Sequence, residues 1–404
     1  MPTLLQINSC VNAGSTGRIA EEIGQLAIAA GWKSYIAYGR TGRESVSQLI
    51  RIGDKRTVCE HAVETRILDN HGFSSRDATR KLIAQIKEIR PDIIHLHNIH
   101  GYYINIELLF NYLAVANTPV VWTLHDCWSF TGHCAHFDYA GCDKWRTGCF
   151  DCPQKTSYPA SFLLDNSRCN YLLKKQLFTS VKNMTIVPVS QWLGGLVRQS
   201  FLAEYPIQVI HNGVDLSAFY PKDTTAIRRK YSLSNKFMLL GVASSWSKRK
   251  GLYDYCKLRT LLSDEYQIVL VGLTSKQIKD LPLGIIGIQR TESVDELAEV
   301  YSVADVFINY TYEDTFPTVN LEALACGTPI ITYRTGGSPE AIDSATGIVV
   351  EKGNVEASIA AIQEVKSKGK SAYSIACRKR AEMCYNKEER YAEYMDLYEK
   401  MLKQ

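Results

Sequence analysis

The densest chemistry in the sequence lies between Tyr312 and Pro329, where Asp314 and Glu322 stand eight residues apart. Two carboxylates in such a segment accept hydrogen bonds from vicinal hydroxyls, the groups that sugars and riboses present. Pro317 suits the first turn of a helix, which leaves the amides of Thr318 and Val319 available to an oxyanion. Upstream, Lys248-Arg249-Lys250-Gly251 follows an apolar stretch and is expected where a strand becomes a helix. Charge runs are usually solvated faces, but the glycine and the apolar run before it favour a diphosphate site. Near the N-terminus, Gly14-Ser15-Thr16-Gly17-Arg18 leads into a helical pattern. Its glycines allow close backbone approach to an anion, Thr16 can cap the helix and Arg18 adds charge. The segment is neither the dinucleotide fingerprint nor a Walker loop, and an ordinary strand-to-helix turn explains it equally well. His125-Asp126 ends another strand pattern, a position suited to a ligand cleft and equally to a satisfied structural histidine. His95 and His97 alternate onto one face of the preceding strand, with His100 beyond it; packing is the expected role of at least two of the three.

Five of the 12 cysteines fall between Cys127 and Cys152. Cys134, Cys142, Cys149 and Cys152 are enough to close a tetrahedral structural zinc site, and the last two form a Cys-x2-Cys pair. His133 or Cys127 can replace one ligand. The remaining gaps are not those of a common zinc finger, so buried free thiols stay open as the alternative. Catalytic metal is not expected, since four thiolates leave no open position. Trp128, Phe130, Phe137, Tyr139 and Trp145 lie in the same stretch and suit a local core, with sugar stacking as the second reading.

These residues need a scaffold, and the hydrophobic pattern supplies one. Short apolar runs at 4–8, 35–38, 93–97 and 120–125 alternate with amphipathic stretches such as 19–30. The alternation resumes at 237–243, 268–272, 305–309, 329–332 and 347–350. Near-continuous apolar strands between helices predict parallel sheets covered on both faces, here as two tandem doubly wound α/β domains facing a central cleft. We place an acceptor-side domain at 1–190 with the Cys-rich insert at about 127–160, a connector at 191–235 with a polar stretch at 221–234, and a donor domain at 236–385. A last helix at 386–404 is expected to pack back on the first domain. In such folds ligands bind beyond the carboxyl ends of the strands, where the motifs above fall.

The chain has 404 residues and a formal net charge of +4, with 46% hydrophobic and 22% charged residues. That balance excludes a disordered chain and gives no support to nucleic-acid binding. No run approaches the roughly 18 apolar residues of a membrane span, and the start lacks a secretory pattern, so a cytoplasmic location is expected.

Taken together, His125-Asp126, Asn212-Gly213-Val214-Asp215, Lys250-Gly251, the acids around Phe316, Glu322-Ala323, Cys326-Gly327-Thr328-Pro329 and Gly336-Gly337 resemble the GT-B glycosyltransferases of family 4. The likeness covers nearly the whole chain and is nearest to colanic-acid-type capsule transferases. It implies retaining transfer from a UDP- or GDP-sugar to a glycan or lipid-linked acceptor, with peripheral contact at the inner membrane and no cofactor required for catalysis. By that resemblance Lys250 neutralises the diphosphate, helped by Arg249, Gly14, Gly17, Arg18 and the amides of Thr318 and Val319. Glu322 holds the ribose, Asp314 with Thr315 and Phe316 meets the transferred sugar, and His125 lies at the reaction centre. His97 and Asp126 fall on the acceptor side. Two positions depart from the family pattern. Ser245 stands where an arginine is usual, with Arg249 or Lys248 as substitutes, and Asp314 replaces a glutamate unless Glu313 takes its part. The alternatives are a non-catalytic sugar-nucleotide-binding subunit and a GT-B nucleotide-sugar epimerase.

Overall fold

The computed structural model describes residues 1–233 and 236–403. Ser234 and Asn235, inside the expected connector, and Gln404, at the end of the expected last helix, lie outside the described residues. The described residues form two compact units, Met1–His211 with 390–403, and Asn212–Glu389. Residues 191–211, expected as connector, therefore belong to the first unit.

The strands of the first unit are β1 (Thr3–Asn8), β2 (Lys33–Tyr38), β3 (Gln48–Arg51), β4 (Ile93–Leu96), β5 (Val120–Leu124) and β6 (Met184–Pro188). They pair in parallel in the order β3-β2-β1-β4-β5-β6. The second unit has β7 (Phe237–Val242), β8 (Tyr266–Val271), β9 (Ile285–Ile288), β10 (Val306–Asn309), β11 (Ile330–Tyr333) and β12 (Gly347–Val350). Their parallel order, β12-β11-β10-β7-β8-β9, repeats the first topology. Each sheet thus reverses direction of winding beside its first strand, between β1 and β4 and between β7 and β10. Loops diverge at such a switch point and leave room for a ligand.

Burial explains why the strands read as unbroken apolar runs. Leu4, Leu5 and Ile7 of β1 and Leu239 and Leu240 of β7 are fully buried, with helices covering both faces. Each such side chain contributes about 1.5–3 kcal/mol when removed from water. The helix Lys387–Leu402 ends in the first unit, where Tyr391, Tyr394, Leu397, Tyr398 and Met401 join Leu4, Ile23, Ile93 and Val187 in one core. The Cys-rich stretch holds two short 3-10 turns, Trp128–Phe130 and Lys144–Arg146, and is otherwise irregular.

Two local expectations change. The helix after β1 runs Gly14–Ala29 with Ala13 at its cap and no side-chain cap bond, so Thr16 lies inside it. Pro317 is the cap residue of the helix Thr318–Ala325 and not a member of its first turn.

Candidate active site

In the second unit, the loops after β7 and β10 meet at the switch point. The 3-10 turn Lys248–Lys250 ends at Gly251, whose φ of +75° also starts the helix Leu252–Leu261. A Cβ there would stand 2.2 Å from the Tyr310 carbonyl oxygen, so the two loops pack backbone to backbone. Tyr312 N donates to Arg249 O at 2.8 Å and fixes the contact. Across it Lys250 Nζ lies 2.6 Å from Asp314 Oδ2, both side chains partly exposed. The two groups assigned separately to phosphate and sugar are therefore paired with each other. Glu313 is buried, so Asp314 is the carboxylate at the lysine. Arg249 Nη1 donates to the Glu313 carbonyl at 3.0 Å, and Lys248 is exposed.

Glu322 sits on the helix that begins after Pro317. It is buried, and Tyr301 OH donates to its Oε2 at 2.9 Å. Thr315 and Phe316 are buried in the loop before the helix, and Asn212 Nδ2 holds the Phe316 carbonyl at 3.1 Å. Thr318 and Val319 open the helix, with their amides in its first turn. Beneath the loop, Asp254 Oδ2 accepts from Tyr312 OH at 2.8 Å and Tyr333 OH at 2.7 Å. The unit thus presents a cation, a partly exposed acid and a buried oriented acid at the ends of adjacent strands. That set fits a diphosphate and polyol hydroxyls.

In the first unit a histidine group gathers at the ends of β4 and β5. His97 Nδ1 lies 3.2 Å from His125 Nε2, and His97 Nε2 lies 3.0 Å from Gln6 Oε1. Burial lowers the His125 pKa to about 4 despite the opposing pull of Asp126, and lowers that of His97 well below the ordinary value. Asp126 accepts from His100 Nε2 at 2.8 Å and from Trp128 N at 2.9 Å. Burial alone would raise its pKa, but the His100 contact holds it well below the usual carboxylate range. His97, expected on the acceptor side, is itself buried and meets His125. Asp126, also assigned there, is occupied by His100, whose Nδ1 lies 2.9 Å from Tyr158 OH. His95 is packing: its Nδ1 and Nε2 meet Tyr398 OH at 2.6 Å and Thr123 Oγ1 at 2.8 Å.

The N-terminal glycine turn divides by role. Gly14 has a φ of +66° and open space above it, and Arg18 is exposed. Gly17 is buried, and a Cβ there would press on Asn12 N and Cys10 O at 3.3 Å, so the turn packs closely at this glycine. Gln6, Tyr301, Asp254 and Tyr158 were missed. A polar Gln6 inside the apolar run Leu4–Ile7 was the one readable signal among them.

Cys134, Cys142, Cys149 and Cys152 line one small cavity. Among the described residues no group of three or more His, Cys, Asp or Glu is placed to hold a metal ion as the side chains stand, so the expected structural zinc centre is not preformed. No described helix is long and apolar enough to cross a membrane.

Comparison with known proteins gives the same reading as the topology. The family profile "Glycosyltransferase Family 4" matches residues 16–218, and "Glycosyl transferases group 1" matches 236–367. A putative colanic acid biosynthesis glycosyl transferase, WcaC of Escherichia coli K12, is 23% identical over 369 residues, covering 87% of this chain and 88% of that protein. Sucrose-phosphate synthase from Thermosynechococcus elongatus superposes with a TM-score of 0.74 at 18% identity, covering 99% of both chains. Anabaena HepE, solved in complex with UDP, superposes with a TM-score of 0.69 at 14% identity, covering 99% of this chain and 100% of that one. The two doubly wound sheets have the GT-B fold, and the family profiles make the chain a glycosyltransferase. The chain belongs to glycosyltransferase family 4.

Proposed function

We propose that this enzyme transfers a sugar from a nucleotide-sugar donor, with retention at the anomeric carbon, to a lipid-linked glycan in exopolysaccharide, capsule or lipopolysaccharide assembly. The observation behind the donor assignment is Lys250 beside Asp314 at the β7/β10 switch point, with Glu322 held by Tyr301 one helix turn further on. The nearly full-length likeness to the E. coli colanic acid transferase supports the polysaccharide context, and family membership supports retention. The HepE complex with UDP supports a nucleotide-sugar donor.

The chemistry follows from charge. Breaking the anomeric bond leaves negative charge on the diphosphate and an oxocarbenium-like sugar. Lys250 exchanges Asp314 for the diphosphate, and the first-turn amides of Thr318 and Val319 add fixed dipoles. Asp314, released from the lysine, turns to the sugar hydroxyls, while Glu322 accepts from the ribose. His125 takes the reaction-centre role that the family resemblance implies, and as a neutral imidazole it brings no positive charge to that role.

Contact with a lipid-borne acceptor has its own support in the first unit. Phe162, Leu163 and Leu164 are exposed and run along the end of the helix Lys55–Leu68, through Phe162 N to Arg66 O at 2.8 Å and Leu164 N to Ile67 O at 3.2 Å. Exposed Ile67 and Leu68 extend this apolar strip, which suits shallow insertion into a bilayer surface.

Calorimetric titration with UDP, GDP and ADP tests the donor site. One nucleotide is expected to bind the wild type and to lose most of its affinity with Lys250→Ala. Binding without turnover of any donor in the presence of membrane-extracted acceptor favours the non-catalytic alternative. Absence of binding by all three overturns the donor assignment.

A further inference from the structure

The thiol cavity lies outside the proposed transfer chemistry, and its construction asks for a ligand. It is bounded by Cys134, Cys142, Cys149, Cys152 and His133, with a volume of about 10 Å³, the space of a single atom or water. One of its sulfurs already accepts from the backbone, Gly132 N donating to Cys149 Sγ at 3.1 Å. The second observation is His133. Its side chain is wholly buried, its Nδ1 is bonded to Asp69 Oδ1, and its Nε2 has no hydrogen-bond partner. Asp69 is fixed in turn by Asn166 N at 2.8 Å. A carboxylate that holds one imidazole nitrogen and leaves the other bare beside sulfur donors is the arrangement that orients a metal-ligating histidine.

We propose that this cavity binds one structural zinc ion, a soft divalent cation suited to thiolate and imidazole donors. Five donors line the cavity for four tetrahedral positions, and binding requires that the thiols rotate toward the ion as it enters. Binding releases the thiol protons to solvent as each sulfur joins the ion, with no oxidation. The consequence reaches the histidine group of the same unit. The irregular stretch 127–160 has little regular structure, yet it places Tyr158 on His100 and, through His100, orders Asp126 next to His125. A zinc ion pins that stretch at four points.

The test uses the full wild-type chain purified without chelator. We expect about one zinc per chain by elemental analysis. Exchange into cobalt(II) is expected to give thiolate-to-metal charge-transfer absorption and tetrahedral d–d bands. Cys134, Cys142, Cys149 and Cys152 are expected to resist alkylation until a strong chelator is added, while exposed Cys59 and Cys169 react at once. The double variant Cys149→Ser/Cys152→Ser is expected to lose the metal, and Cys169→Ser to keep it. Wild-type protein that holds no zinc, shows no cobalt charge transfer and leaves the four thiols alkylated at chelator-independent rates overturns the proposal. So does a disulfide between any two of the four. The wild-type measurements stand even where a serine variant fails to fold.

Discussion

His97 Nδ1 lies 3.2 Å from His125 Nε2, and the two imidazoles stack within 17° of parallel. The neighbours assign the protons. Gln6 Nε2 donates to Ala20 O at 2.7 Å, so Gln6 Oε1 faces His97 Nε2 as an acceptor. His97 therefore carries its proton on Nε2 and accepts at Nδ1 from His125 Nε2–H. The chain from Ala20 through Gln6 and His97 fixes both the ring plane and the tautomer of the histidine at the proposed reaction centre.

Breaking that chain should reduce turnover without unfolding the unit. His97→Phe keeps a ring of similar size at a buried position but removes the acceptor for His125. Loss of one neutral hydrogen bond worth about 1 kcal/mol predicts a kcat lower by about fivefold to tenfold, with donor KM little changed. Nitrogen-15 NMR of the His125 ring should show a mixture of tautomers in the variant and one in the wild type. An unchanged tautomer and unchanged kcat would falsify the positioning role.

Buried neutral imidazoles also set an acid limit on stability. Burial depresses His61 and His125 to about 4 and lowers His71, His95 and His97 well below the ordinary value. Below about pH 6.5 the unfolded chain takes up protons that the native chain refuses, so stability falls as pH drops. Each such histidine contributes up to about 1.4 kcal/mol per pH unit between its unfolded and folded pKa. His133, raised by Asp69 against the effect of burial, opposes this with one group. The melting temperature should therefore fall steeply from pH 7 to pH 5, measured by calorimetry in matched ionic strength. A flat profile across that range contradicts the neutral assignment.

The central strands were legible because burial on both faces makes them continuous apolar runs. The three strands that the pattern did not reveal, β3, β6 and β9, are all edge strands. Gln48, Leu49 and Arg51 of β3 are exposed, and Ile285, Ile286 and Gly287 of β9 are half-buried, so neither needs an apolar run. At the site, residue types at strand ends were readable, but partnerships were not. Lys250 and Asp314 are 64 positions apart, and their pairing depends on two loops meeting at a switch point. Tyr301 and Gln6 act from within helix and strand cores, where a polar group looks like any satisfied buried residue.

The Lys250–Asp314 pair makes Asp314 a competitor of the nucleotide as well as a proposed sugar contact. Asp314→Asn removes the charge that holds Lys250 and keeps the side-chain shape. Binding of the product nucleotide should tighten by a few fold, since the 2.6 Å ion pair no longer has to break. Turnover should nevertheless fall by about tenfold to a hundredfold through the weaker sugar contact. Calorimetry with the nucleotide alone and kinetics with the intact donor separate the two effects. A parallel loss of both would show that Asp314 serves only to hold the loop.

Glu322 offers a cleaner separation of charge from fold. Tyr301 OH donates to Oε2 at 2.9 Å inside the unit, and a glutamine oxygen can accept the same bond. Glu322→Gln should leave the melting temperature nearly unchanged and weaken nucleotide binding by about tenfold, the loss of a charge-assisted bond of 1.5–3 kcal/mol in part replaced by a neutral one. Glu322→Ala orphans the buried tyrosine hydroxyl as well, at a further cost of about 1–3 kcal/mol in stability. Equal melting temperatures for the two variants would count against the Tyr301 contact.

Gly251 and Gly369 give the last comparison, because both have positive φ but only one is crowded. Their φ values are +75° and +76°. A Cβ at Gly251 meets the Tyr310 carbonyl oxygen at 2.2 Å, whereas at Gly369 the nearest atom is Ser371 Oγ at 3.8 Å. Gly369→Ala places its Cβ clear of any clash but at φ 76° and ψ 149°, a region kept almost entirely by glycine, so it should cost the backbone strain alone, about 1–3 kcal/mol. Gly251→Ala adds a backbone clash that must separate the β7 and β10 loops, for a total of about 3 kcal/mol or more. For a unit of this size that corresponds to a fall of about 6–12 °C in its melting transition. Because the same movement pulls Lys250 from Asp314, nucleotide affinity should fall in Gly251→Ala and persist in Gly369→Ala. Retained affinity in the Gly251 variant, measured below its melting transition, would mean that the donor site tolerates separation of the two loops.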